Sequence, residues 1–253
     1  MNILELFIAY AFIGWIWETS YVSFKQKKYV NRGFLRAPFI PIYGFGATAM
    51  VLLMEALLPY LPASKTVALA FSIFYLGLCA SFLEYGTSFL MEWALKARWW
   101  DYSKRKFNLH GRVALGPSIF WGIGGYVIWR YINGPIQSFY QMINPILLNT
   151  FLVMVYGMIL VDAYFTLREL ISLRSVVLRM QALLDDFVDQ VDEGLDMIEE
   201  NIGDFMEQIE AHVGLRKMLE RGRKYARFYR NYPDVTTRKL PLVFKALRER
   251  LNR

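Results

Sequence analysis

Cysteine and histidine are almost missing from this 253-residue chain, which has one Cys and two His. A single cysteine rules out an internal disulfide. Three such residues cannot furnish a usual zinc or iron–sulfur ligand set, so no metal or other cofactor is expected. No G-x-x-x-x-G-K-[ST] stretch occurs, which excludes nucleotide hydrolysis by a phosphate loop. Gly44-x-Gly46 and Gly122-x-Gly124 lie in apolar runs with no strand before them, so they are not dinucleotide fingerprints. No Ser-His-Asp or Cys-His set is suggested, and His110 beside Gly111 and Arg112 reads as an interface residue more than a proton carrier. The opening MNILEL lacks a basic n-region and no small-residue cleavage site follows, so no cleavable leader is expected.

What is present is apolar. Hydrophobic residues make up 55% of the chain and aromatics 17%, bunched into long runs. A membrane helix needs about 20 such residues. Five runs meet or approach that length: Ile3 to Phe24, Pro38 to Leu58, Val67 to about Leu95, Val113 to Ile132 and Ile146 to Phe165. Basic residues crowd the first loop (Lys25, Lys27, Lys28, Arg32, Arg36), the third loop (Lys96, Arg98, Lys104, Arg105, Lys106, Arg112) and the region after the fifth run. The second and fourth loops are poor in them. Positive charge marks the cytoplasmic side. The expected fold is therefore all-α and polytopic, with five transmembrane helices, the N-terminus outside and the C-terminus in the cytoplasm.

Charge within or beside such runs is costly, roughly 2.5–3.5 kcal/mol per group even on lenient insertion scales, and so signals function by default. The polar set is Glu18, Glu84, Glu92, Asp101, Arg32, Arg36 and Arg112. Glu18 and Glu84 fall at similar depth near the cytoplasmic interface, and the carboxylates and guanidiniums should pair. Three readings stay open. The pairs lock the helices; or they form a cytoplasm-facing site for a small charged or zwitterionic solute; or two carboxylates act as acid and base on a lipid or lipid-linked substrate at the inner interface. Trp99, Trp100 and Tyr102 read as membrane-interface aromatics.

The runs divide the chain into a transmembrane part, 1–165, an acidic amphipathic helix, 166–214, and a basic tail, 215–253. Within the first part, Asn31, Gly33 and Gly44 match Asn108, Gly111 and Gly122, the second glycine standing eleven positions after the first each time. This pattern reads as a parallel repeat of 1–60 and 66–132, or as glycines that let helices pack closely. From Gln181 to His212 there are eleven acidic and no basic residues; from Arg216 onward there are thirteen basic and three acidic. Val177, Leu184, Val191, Ile198 and Phe205 form a seven-residue seam that drifts, as a coiled coil or a straight helix would allow. It offers a route to a homo-oligomer, or to a scaffold acting through this helix. The tail suits anionic membrane lipid or the acidic helix, and no nucleic-acid partner is expected.

GWIWE (14–18), NRGFLRAPFIPIYGFGA (31–47), EYGTSFLMEWALKARWWDYS (84–103) and FNLHGRVALGPSIFWGIGG (107–125) resemble a bacterial family of ABC-transporter type IV permeases, the CmpB-like family. The resemblance covers about the first 160 residues. It implies a multi-pass protein of the bacterial plasma membrane with a separate ATPase subunit, and it assigns no catalytic residues and no substrate.

Overall fold

The computed structural model describes residues 2–95 and 98–190. It is mostly helical, and its strands are only two residues long. The helices are α1 (Ile3–Gln26), α2 (Pro41–Leu57), α3 (Lys65–Leu95), α4 (Leu115–Val127), α5 (Asn133–Gln141) and α6 (Pro145–Gln190). Four described helical spans are long and apolar enough to cross a membrane: Ile3–Gln26, Pro41–Tyr60, Lys65–Ala94 and Pro145–Ser172. The seven-residue seam, the acidic helix past 190, the basic tail and an oligomer built on them lie outside the described residues and side chains.

The fourth expected run differs from expectation. It starts at Leu115, two residues after Val113, and comes in three consecutive pieces. A π turn, Ile128–Ile132, joins α4 to α5. Pro135 has no N–H to donate to the carbonyl four residues back, so the regular ladder cannot pass Tyr131 unbroken. Each piece alone is shorter than a span. The fifth run also differs, because α6 continues through 166 to Gln190 without a break.

The chain divides into two compact units. Among the described residues, one comprises 2–89 and 101–166, and the other includes 90–95, 98–100 and 167–190. In the first unit α1 and α2 form an antiparallel pair. A capping box of Asn2 and Glu5 starts α1, and Lys27 at φ 51° ends it. Leu6 and Tyr10 of α1 pack with Ala47 and Val51 of α2 and with Ile128, Trp129, Ile132 and Ile136. Tyr10 donates to Asn133 Oδ1 at 3.0 Å, inside this core. Ile8 and Ala11 pack on Leu148, Leu152, Val155 and Ile159 of α6. Met50 and Met54 pack on Leu76 and Ala80 of α3, with Trp121 and Tyr126 of α4 beside them.

Both hairpins share an unexpected build. In the first, α2 begins at Pro41 beside the middle of α1, where the Ile40 N–H donates to the Ala11 carbonyl at 3.0 Å. The non-helical segment 27–40 must therefore retrace α1 from Gln26 to Ala11, about 22 Å at the helical rise. Buried Val30, Leu35 and Phe39 hold it there. Pro38, expected in the first turn of α2, belongs to this segment. In the second hairpin Ser118 of α4 meets Ser81 of α3, Oγ to Oγ at 2.7 Å. Residues 101–114 then fold back beside α3 beyond Ser81. They include a small antiparallel pair, Asn108–Leu109 with Val113–Ala114, turned by His110 and Gly111 at positive φ. Asn31 Oδ1 caps the Gly33 N–H at 3.0 Å, and Asn108 Oδ1 caps the Gly111 N–H at 2.9 Å. Each asparagine thus caps the following glycine, two residues on in the first segment and three residues on in the second.

Candidate functional site

Glu18 stands on α1 four residues after Gly14. No Cβ fits at Gly14 against the Tyr43 ring, so α1 and α2 approach closely there. Tyr43, in the first turn of α2, lies within electrostatic reach of the Glu18 carboxylate. Arg32, carried in by the returning segment, donates to Glu18 Oε1 through Nε at 3.1 Å and a terminal nitrogen at 2.9 Å. The segment is itself pinned. Arg32 N–H donates to Thr19 Oγ1 at 3.3 Å, and Trp15 Nε1 donates to Asn31 Oδ1 at 2.8 Å. Glu18 is thus compensated in charge by a pinned arginine.

Glu84 stands on α3 opposite the second returning segment. The Tyr102 hydroxyl donates to Glu84 Oε1 at 3.0 Å. Glu84 Oε2 is buried and accepts no hydrogen bond. Tyr102 lies outside the helices, and its phenol is held well above its ordinary value. Burial is the first cause, followed by the Glu84 carboxylate, the hydrogen bond to it, and Glu18; Arg105 pulls the other way. Tyr102 therefore lies within electrostatic reach of both glutamates, and Tyr43 within reach of Tyr102. Tyr43 also meets Trp121 of α4, edge to face at 5.7 Å. The two hairpins bring Glu18, Arg32, Tyr43, Glu84 and Tyr102 into one neighbourhood.

The other expected residues are placed differently. Arg112 is buried, with its guanidinium over the rings of Tyr85 and Phe89 and a 3.3 Å bond to Ser88 Oγ. Tyr85 in turn hydrogen-bonds His110 Nδ1 at 3.2 Å. Asp101 caps a loop turn, accepting from the Ser103 N–H and hydroxyl. Arg36 is exposed and lines a shallow groove with Gly157, Met158, Val161 and Asp162 of α6, where Asp162 accepts from the Ala37 N–H at 2.7 Å. In the second unit, Glu92 accepts from Arg98 Nε at 2.8 Å. Trp99 and Trp100 of that unit are partly buried.

Sequence reasoning missed Tyr43 as a partner of Glu18, and it read Tyr102 only as an interface aromatic. The depth at which the second helix starts decides both, and no local pattern encodes it. Among the described residues no cluster of three His, Cys, Asp or Glu could hold a metal ion.

Residues 5–167 match the family described as "Putative ABC-transporter type IV". The chain belongs to this family. The match takes in both hairpins and the whole polar neighbourhood, and it ends within α6. The ABC-transporter type IV family makes this chain an ABC-transporter-type membrane component, and its apolar helices fit a multi-pass membrane protein. No curated protein and no solved structure matches the chain.

Proposed function

We propose that this chain is the membrane-spanning part of a transporter, and that Glu18, Arg32, Tyr43, Glu84 and Tyr102 bind a small charged or zwitterionic solute. Arg32 takes the anionic part, and the glutamates take the cationic part or protons. One observation carries the reading. In both hairpins non-helical backbone folds back beside a glutamate-bearing helix, so that both glutamates come within reach of one tyrosine. Irregular backbone at membrane depth is tolerated where it is buried in protein or lines a cavity, and transporters build their sites from such interrupted helices. Family membership supports the same reading.

In this reading the helical stretch Leu115–Gln141 is a fifth crossing. Its two ends support that: Ser118 meets Ser81 near one returning segment, and Tyr140 donates to the Glu5 carbonyl near the start of α1. The basic loops face the cytoplasm and the N-terminus lies outside. The two hairpins are a parallel duplication, supported by an asparagine-capped glycine in each returning segment and by the Tyr43–Trp121 contact. Arg36, Asp101 and Arg112 belong to the cytoplasmic mouth, a separate ATPase supplies energy, and the basic tail rests on anionic lipid.

The test uses the full chain in lipid nanodiscs, exposed to the small-molecule fraction of a cell extract, with retained solutes identified by mass spectrometry. The wild type enriches charged solutes, whereas Glu84→Gln and Arg32→Gln lose them while staying monodisperse. Retention equal to wild type in both variants contradicts the proposal. Lower abundance with unchanged retention per molecule favours a purely structural lock.

A further inference from the structure

Two glutamates share one neighbourhood, yet they are not equivalent. Glu18 meets a guanidinium at 2.9 Å, which also donates to the same carboxylate oxygen through Nε at 3.1 Å. Glu84 meets a single neutral hydroxyl, that of Tyr102, and leaves Oε2 buried without a hydrogen bond. A buried carboxylate needs a compensating positive charge, and where none is fixed in the protein it takes a proton or a mobile cation. The surroundings favour the smallest cation. A metal ion would need several oxygen or nitrogen ligands, and among the described residues no group of three His, Cys, Asp or Glu gathers there.

The neighbouring guanidinium is engaged elsewhere. Arg112 sits over Tyr85 and Phe89 and bonds Ser88, one turn further along α3. Arg32 is spent on Glu18. The titratable and charged groups around Glu84 are Tyr85 on its own helix, Tyr102, Arg105, His110 and Arg112 from the returning segment, and Glu18, Arg32 and Tyr43 from the first hairpin. Tyr102 links Glu84 to the exposed part of that segment, flanked by exposed Asp101 and Ser103.

We propose that Glu84 is the proton-carrying group of this site, exchanging one proton with water on the loop side past Tyr102, while Glu18 stays ionised against Arg32. The proposal rests on the solute-site reading and adds which carboxylate couples to protons. The step moves a proton only. Hydronium gives it to Oε2 and becomes water, and the reverse transfer returns it, with no heavy-atom bond made or broken. A site with one permanently charged glutamate and one that switches can bind its solute differently in the two states, as proton-coupled binding requires.

The test is labelling of the full chain in nanodiscs with dicyclohexylcarbodiimide, an apolar reagent that adds to protonated carboxyls, over a pH series. The site of addition is read by peptide mass spectrometry. Glu84 is labelled, labelling falls as pH rises, and Glu18 is not labelled. Glu84→Gln removes the label. Tyr102→Phe, which keeps every charge, raises labelling of Glu84 at a fixed pH, because a donated hydrogen bond favours the ionised form. Arg32→Gln brings a label onto Glu18.

Absence of label on Glu84 at every pH overturns the inference, as does equal labelling of Glu18 and Glu84 in the wild type. If Glu84 never labels while Glu84→Gln still loses the retained solutes, the solute site stands and its proton role falls. If Glu84 labels as described while Glu84→Gln retains solutes like wild type, the proton site stands and the solute reading falls.

Discussion

Arg32 has two tasks. It neutralises Glu18, and its backbone N–H ties the returning segment to Thr19. Removing the guanidinium leaves a part-buried carboxylate without its counter-charge. Breaking a fully buried pair costs about 3–5 kcal/mol. The Arg32 and Glu18 side chains are 13% and 23% exposed, so solvent discounts this. Arg32→Gln should lower stability by about 2 kcal/mol in a detergent melt. The double variant Glu18→Gln, Arg32→Gln should recover part of that loss, because no charge is then stranded. A double variant less stable than Arg32→Gln alone would argue that the pair is not the main interaction. Tyr102 makes a second prediction. Its folded value lies above the unfolded value of about 10, so its contribution is complete below pH 10 and is lost as pH climbs through the folded value. In alkaline melts the wild type should therefore lose more stability than Tyr102→Phe. Parallel decline in both would remove Tyr102 from the buried network.

In both hairpins the first glycine of a Gly-x-Gly pair is packed and the second is open. A Cβ at Gly122 would strike the Ile73 carbonyl and the Gly77 backbone; one at Gly124 meets nothing within 4 Å. A Cβ at Gly44 would lie 2.8 Å from the Phe7 ring and 2.9 Å from its carbonyl; one at Gly46 meets nothing. Gly122→Ala and Gly44→Ala should each cost about 1–3 kcal/mol by forcing helices apart. Gly124→Ala and Gly46→Ala should be close to neutral in the same melts. The sequence showed these glycines as a pattern and left open what they do. It placed the ends of α1 and α3 to within a few residues, because long apolar runs and caps are local signals. It set the starts of α2 and α4 three and two residues early, and it did not show how far along α1 and α3 they lie. Pro38 reads as well as Pro41 for a first turn, and the choice falls to Asp162, 125 residues away, which binds the Ala37 N–H, and to the Ala11 carbonyl, which binds Ile40. These tertiary bonds hold the segment extended, and they bring Arg32 to Glu18.

At the scale of the molecule, the apolar runs and the family motifs were legible, and the kinship they suggested holds over residues 5–167. The fifth run was legible as apolar, but the π turn beside Pro135 divides it. The helix α6 runs through residue 166 without a break, while the division into two compact units falls between 166 and 167. The polar neighbourhood lies entirely before that point, so a chain ending after Gln190 should still insert in membranes and keep Glu84 reactive to carbodiimide. Loss of insertion on that truncation would make the later residues part of the core.

The proposed site requires both hairpins to open their polar residues to the same side of the membrane. Cys79 is the lone cysteine, so a Cys79→Ser background permits single thiols. Tyr43→Cys and Tyr102→Cys, in sealed vesicles of known orientation, are then exposed to a membrane-impermeant thiol reagent added to one side at a time. Modification of both thiols from the side carrying the basic loops, and of neither from the other side, is the result predicted. Modification of the two from opposite sides would contradict it.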